Sequence, residues 1–213
     1  MEQTLTKDRI VEVATRLFAG LGYDMTSLEL IADAVGVPGS SIEELTGGKR
    51  ELYLTVMEGI FEAKRVEVQA VVDGTASEYE AAHLIADVYL DFYARNPQLL
   101  ALWGHRWVSD AAELTDIEDR FMRPLLSLAA RRIRNVVPED LGPHAFLGTV
   151  LWNINGFLGT GLLAPGKGMR GSEDRDALKY FRTVLHTVID RLLAPPPGSA
   201  QASGAAWTRV PST

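Results

Sequence analysis

Chemistry in this chain has few parts to draw on. It contains no cysteine, which removes a thiolate nucleophile, a thiolate metal site and a disulfide framework together. The four histidines, His83, His105, His144 and His186, are scattered without metal-ligand spacing, and no Gly-x-Ser-x-Gly elbow occurs. The run Gly161-Leu162-Leu163-Ala164-Pro165-Gly166-Lys167-Gly168 falls short of a phosphate-binding loop. It lacks the Ser or Thr that holds Mg²⁺ and follows a helix-like segment rather than a strand. These observations predict no enzyme, no metal and no cofactor.

Aromatic rings and amides are better placed to recognise a ligand. Trp103 and Trp107 sit four residues apart, on one face of a helix, with His105 between them in sequence. The pair reads either as the wall of a pocket for a flat ring or as plain core and seam packing. Trp152, Asn153, Asn155 and Phe157 share an otherwise apolar segment. Buried asparagines need partners, so one is expected to meet a ligand and the other its copy across a dimer axis. Tyr89, Phe92, Tyr93, Phe121 and Met122 can complete an aromatic cavity. The candidate ligand set is Phe92, Trp103, His105, Trp107, Phe121, Trp152 and Asn155, for a small hydrophobic or aromatic molecule.

These residues need helices to position them. Nearly all of positions 6–194 carries the helical period, and no stretch alternates like a strand. Thr6 can cap a first helix with an apolar stripe of Ile10, Val11, Ala14, Leu17, Phe18 and Leu21, stopped by Gly22. Short helices are expected over 28–35 and 39–45, and longer ones over 49–74, 77–95, 98–112, 115–136, 143–163 and 172–193. The Gly- and Pro-containing stretch 164–171 reads as a loop. The Pro/Ala/Ser/Gly-rich stretch 195–213 reads as a disordered tail. The fold class is all-α, with a three-helix unit over 1–48 and a six-helix unit over 49–194.

Composition narrows the classes further. With 213 residues, 46% apolar and 23% charged, the chain can bury a sizeable core. A net charge of −7 argues against a surface coated for nucleic acid, while leaving room for a local basic patch. The polar start MEQTLTKDRI carries no apolar signal core, so a cytoplasmic location is expected. No run reaches the ~18 apolar residues of a membrane span, so no membrane partner is expected. The broad apolar faces of 143–163 and 172–193 predict a homodimer.

The segment Ile31-Ala32-Asp33-Ala34-Val35-Gly36-Val37-Pro38-Gly39-Ser40-Ser41-Ile42 has helix-turn-helix spacing. Ala32 is small where two helices must touch, Gly36 tolerates the positive φ of a tight turn, and Ile42 can point back into the core. Together with Ile10, Ala14, Leu17, Phe18, Gly22-Tyr23-Asp24, Thr26-Ser27 and Lys49-Arg50-Glu51-Leu52-Tyr53, it resembles the DNA-binding head of the tetracycline-repressor (TetR) family over about the first 55 residues. The resemblance implies a homodimeric, ligand-responsive regulator, a repressor, whose recognition helices enter successive major grooves of operator DNA. It also implies phosphate contacts from Thr26 and Ser27, a recognition helix over 38–45 with Gly39, Ser40, Ser41 and Glu44 among its DNA-facing residues, and a further phosphate contact from Lys49.

The head departs from that pattern in its charge. Glu43-Glu44-Leu45-Thr46 stands where the family commonly has an aromatic-rich segment, so Glu43 replaces a phosphate-touching tyrosine and Thr46 an anchoring aromatic. The first fifty residues hold five Lys/Arg against eight Asp/Glu. DNA affinity leans on neutralised phosphates, so two readings stand: a regulator that binds DNA, or a relative with a degenerate head that binds or converts a small hydrophobic molecule. Glu44 can also accept from a cytosine amine.

Overall fold

A computed structural model of the chain describes residues 6–74, 76–164 and 168–193. The head is built from three helices. Helix α1 (Lys7–Met25) is capped by Thr6, whose hydroxyl accepts from the Arg9 N–H at 3.3 Å, and it buries Ile10, Val13, Ala14 and Phe18. Its regular winding breaks at Gly22, where φ is +82°. Helix α2 (Leu28–Val35) is capped by Ser27, which accepts from the Leu30 N–H at 3.1 Å. Gly36 ends it at φ +84°, a left-handed turn that is cheap only for glycine and that lets its N–H reach the Ala32 carbonyl. Helix α3 (Gly39–Thr46) follows and buries Ile42 as expected.

The longer helices follow, beginning with α4 (Lys49–Val72). Helix α5 (Glu78–Arg95) opens with a reciprocal capping box between Ser77 and Glu80. Then come α6 (Pro97–Trp107), α7 (Arg123–Ile133), α8 (Pro143–Thr160) and α9 (Arg175–Leu192). The Asp174 carboxylate caps α9. The all-α expectation holds, and one apolar core runs from the head into the body. Phe18, Tyr23 and Tyr53 pack ring to ring across the seam, with Phe18 and Tyr53 5.1 Å apart edge to face. Among the described residues, no helix is long and apolar enough to cross a membrane.

Three segments differ from the sequence expectation. Helix α6 stops at Trp107 rather than near 112, because Ser109 and Ala111 adopt positive φ. The Arg106 guanidinium then takes the carbonyls of Asp110, Ala111 and Leu114. The helix expected over 115–136 begins with a π-helical turn over Glu118–Met122 and ends as α7 at Ile133. Pro124 explains the wider turn: its ring has no N–H to donate to Arg120 and crowds that carbonyl. The expected loop 164–171 is partly a short antiparallel hairpin, with β1 (Leu162–Ala164) pairing β2 (Gly168–Arg170). Three-residue strands are too short for alternation to register. The stretch 195–213 lies outside the described residues.

Candidate DNA-facing head and ligand cavity

The outer surface of α3 is acidic. Ser40, Glu43, Glu44 and Leu45 are exposed, Gly39 and Ser41 are half-buried, and Ile42 and Thr46 face inward. Thr46 is buried, and its hydroxyl donates back to the Ile42 carbonyl at 2.7 Å. Ser27 is exposed at the N-terminus of α2, the position from which backbone amides and a hydroxyl can meet a phosphate.

Two anticipated phosphate contacts are otherwise engaged. The Thr26 side chain is fully buried, and its hydroxyl donates to the Gly22 carbonyl at 2.7 Å. It stabilises the break in α1 and has no free face for DNA. The Lys49 ammonium lies 4.2 Å from the Tyr23 ring centroid and 3.4 Å from the Asp24 carbonyl. Of the other head cations, Arg9 and Arg16 both bind Glu12, and Arg50 lies 3.5 Å from Glu51. Three of the head's five cations are thus paired with carboxylates at the surface.

Asp110 ties the head to the body. Its carboxylate accepts from the Tyr23 N–H at 2.6 Å and from the Asp24 N–H at 2.9 Å. The Asp24 carboxylate in turn accepts from the Ala111 N–H. A side chain at position 22 would place its Cβ 2.9 Å from an Asp110 oxygen, so glycine serves both the φ and the close approach. The Tyr23 hydroxyl donates to Glu113 at 2.9 Å, and burial together with that carboxylate pushes its pKa up to about 12. Arg106 fixes the loop that carries Asp110 and pairs with Glu118 at 2.7 Å, holding Glu118 below the usual carboxylate range. His105 joins this seam by bonding the Ala19 carbonyl at 3.0 Å. It therefore does not line the cavity, contrary to the sequence expectation.

The body contains a two-part cavity. The inner part, about 30 Å³, is lined by Lys64, Tyr89, Tyr93, Trp103, Trp107, Met122, Leu125, Leu151 and Asn155. The wider part, about 250 Å³, shares Tyr93, Trp107 and Asn155 and extends along α6 and α8 to Ser172. Trp103, Trp107 and Asn155 line the same inner part. The other expected lining residues lie elsewhere. Phe92 is buried edge to face against Tyr93, and Phe121 packs at 6.1 Å from Phe61. Trp152, about 100° round α8 from Leu151, does not line the cavity and is 75% exposed.

Lys64 is the functional candidate that sequence reasoning missed. It is only 6% exposed, its ammonium donates to the Tyr93 hydroxyl at 2.6 Å, and it faces the Tyr89 and Tyr93 rings at 4.8 and 4.7 Å. Burial pulls its pKa down to about 7 and raises those of both tyrosines. A signal was present in the sequence: Ile60, Lys64 and Val68 are spaced along one apolar face of α4. Nearby, the Trp103 indole N–H is buried without an acceptor.

A separate cleft between α5 and α9 brings together histidines that are far apart in sequence. The His83 and His186 rings lie 4.9 Å apart, and the histidines bond Asp190 and Asp87 respectively. Among the described residues, no group of three or more His, Cys, Asp or Glu side chains is disposed to hold a metal ion.

No family model matches the sequence, and no curated relative matches it. Solved structures match well over nearly the whole chain. A transcriptional regulator of the TetR/AcrR family from Thermobifida fusca YX-ER1 is 20% identical, with a TM-score of 0.58 over 85% of this chain and 97% of that one. The fatty acid degradation regulator FadR from Bacillus halodurans is 13% identical, with a TM-score of 0.66 over 88% and 96%. AibR, in complex with isovaleryl coenzyme A and operator DNA, is 16% identical, with a TM-score of 0.59 over 88% and 98%. The chain has the fold of TetR-family transcriptional regulators.

Proposed function

We propose that the protein is a ligand-responsive transcriptional regulator, a repressor, that binds operator DNA as a homodimer. The observation that carries this reading is the position of α6. One side of the helix lines the cavity through Trp103, Gly104 and Trp107, while its C-terminal end reaches the head through His105, Arg106 and the Asp110 loop. A ligand that moves α6 therefore biases the orientation of α1, and with it the recognition helix. In AibR, a protein of the same fold, a ligand and operator DNA occupy one complex.

The homodimer is proposed through α8 and α9. These helices pack through Phe157 and Phe181, stacked 4.1 Å apart, and leave Trp152 and Tyr180 exposed at 75% and 63%. Large aromatic residues on an outer face are a common signature of a subunit interface. Paired heads of this kind would sit ~34 Å apart, one turn of DNA.

The acidic recognition helix favours a second reading, a degenerate head on a body that binds or converts a small hydrophobic molecule. Glu43 and Glu44 are exposed, and Lys49 is stacked on Tyr23. The two readings separate when the protein is presented with the DNA upstream of its own gene at low salt. Sequence-selective retention supports the regulator. With so few free cations, the slope of log K against log salt should be shallow, about −0.9 for each of two or three phosphates per head. Absence of selective retention, with ligand still bound by the body, supports the degenerate head.

A further inference from the structure

We infer that the cavity takes an organic acid, its carboxylate against Lys64 and its apolar or aromatic body in the wider part beside Trp107. This deepens the ligand-responsive reading and rests on it. Lys64 lies at the inner end of the cavity, with the Tyr93 hydroxyl as its hydrogen-bond partner and the Tyr89 and Tyr93 ring faces around it. Neither a tyrosine hydroxyl nor a ring face carries the full negative charge that a buried ammonium calls for. No carboxylate of the described residues forms an ion pair with it, and desolvation alone accounts for its altered acidity. An ammonium has three donors, and one is used.

The second observation is independent and on another helix. The Trp103 side chain, 3% exposed, lines the same inner cavity, and its buried indole N–H has no acceptor. Two unanswered donors at the end of an apolar cavity describe an acceptor that arrives from outside. A carboxylate, with two oxygens and one charge, matches one ammonium and one indole N–H. A phosphate dianion would need further cations, and the lining supplies none. Of the other inner residues, Met122, Leu125 and Leu151 suit the carbon skeleton of the acid, and Asn155 offers an amide beside it.

The test is isothermal titration of the full chain with 2-naphthoate and 4-phenylbutanoate, each against its primary amide, at pH 6.5. The acids should bind about 10- to 100-fold more tightly than the amides, as a charge-assisted bond in a dry site implies. In Lys64→Met, amide binding should persist while the preference for the acid disappears. In the native protein, acid affinity should fall by up to about tenfold per pH unit above pH 7, with proton uptake on binding. Tyr89 and Tyr93, held neutral by burial, are the titratable groups facing Lys64, so the profile belongs to the lysine. Equal affinity for acid and amide, an acid preference that survives Lys64→Met, or millimolar silence from every probe would overturn the inference. None of these outcomes depends on DNA. Failure of operator retention leaves the acid site standing, whereas acid–amide equality leaves a ligand-responsive regulator with a neutral ligand.

Discussion

Replacing Lys64 with methionine should stabilise the empty protein at neutral and acid pH, and should abolish a specific pH dependence. The lysine's pKa falls from 10.5 to about 7 on folding. At about 1.36 kcal/mol per pH unit, the buried charge destabilises the folded state by about 4–5 kcal/mol wherever the lysine is protonated in both states. Methionine removes that penalty and fills a similar volume. It also forfeits two cation–π contacts and leaves the Tyr93 hydroxyl without its donor, together about 2–3 kcal/mol. The net gain below pH 7 is about 2 kcal/mol, or a rise in Tm of about 4–8 °C for a chain of this size.

The sign of the pH effect follows from the depressed pKa. Between about pH 7 and 10.5 the unfolded chain binds one more proton than the folded one, so native stability rises with pH across that window. Below pH 7 both states are protonated, and the lysine contributes no slope. By pH 9 the native protein should recover nearly 3 kcal/mol, and the stability curves of the two proteins should cross between about pH 8 and 9. Urea denaturation from pH 6 to 9, at fixed protein concentration because any dimerisation adds its own term, reads this directly. Parallel profiles for the two proteins, or a less stable Lys64→Met at pH 6, would refute the premise of a charge buried without a counter-ion.

Reversing the acidic helix with Glu43→Lys and Glu44→Lys should tighten non-specific DNA binding and steepen its salt dependence by about 0.9 per new phosphate contact, measured by gel retardation against salt. Unchanged binding would mean that α3 does not approach DNA. Gly22→Ala should destabilise the fold by about 2 kcal/mol or more, because position 22 has positive φ and Asp110 occupies the space of a Cβ; a variant as stable as the native chain in urea would contradict this. Trp152→Glu or Val188→Glu should shift sedimentation at micromolar concentration from dimer to monomer, and a dimer that survives both changes would move the interface elsewhere.

The helical layout was legible because its signals are local. Apolar residues recurring with the helical period, hydroxyls at Thr6, Ser27 and Ser77, and glycines at 22, 36 and 47 mark the beginnings and ends of helices through bonds to residues a few positions away. The helix-turn-helix and the acidity of its second helix follow from spacing and residue type alone. So does the convergence of Trp103 and Trp107, which lie one turn apart on α6.

What tertiary structure decided depends on partners distant in sequence. The end of α6 is set by Arg106 gathering carbonyls from the loop beyond it, and by Asp110 capturing the backbone at Tyr23 and Asp24 from the other end of the head. His105 belongs to that seam, although its residue type suits a ligand equally well. Trp152 faces outward because an apolar helix flanked by other helices does not announce which side is covered. Lys64 is the sharpest instance. A lysine within an amphipathic helix ordinarily keeps its ammonium in water by reaching past its neighbours. Only the rings of α5 and α6 and the side chains of α7 and α8, closing over the end of its chain, turn it into a buried and unmatched charge.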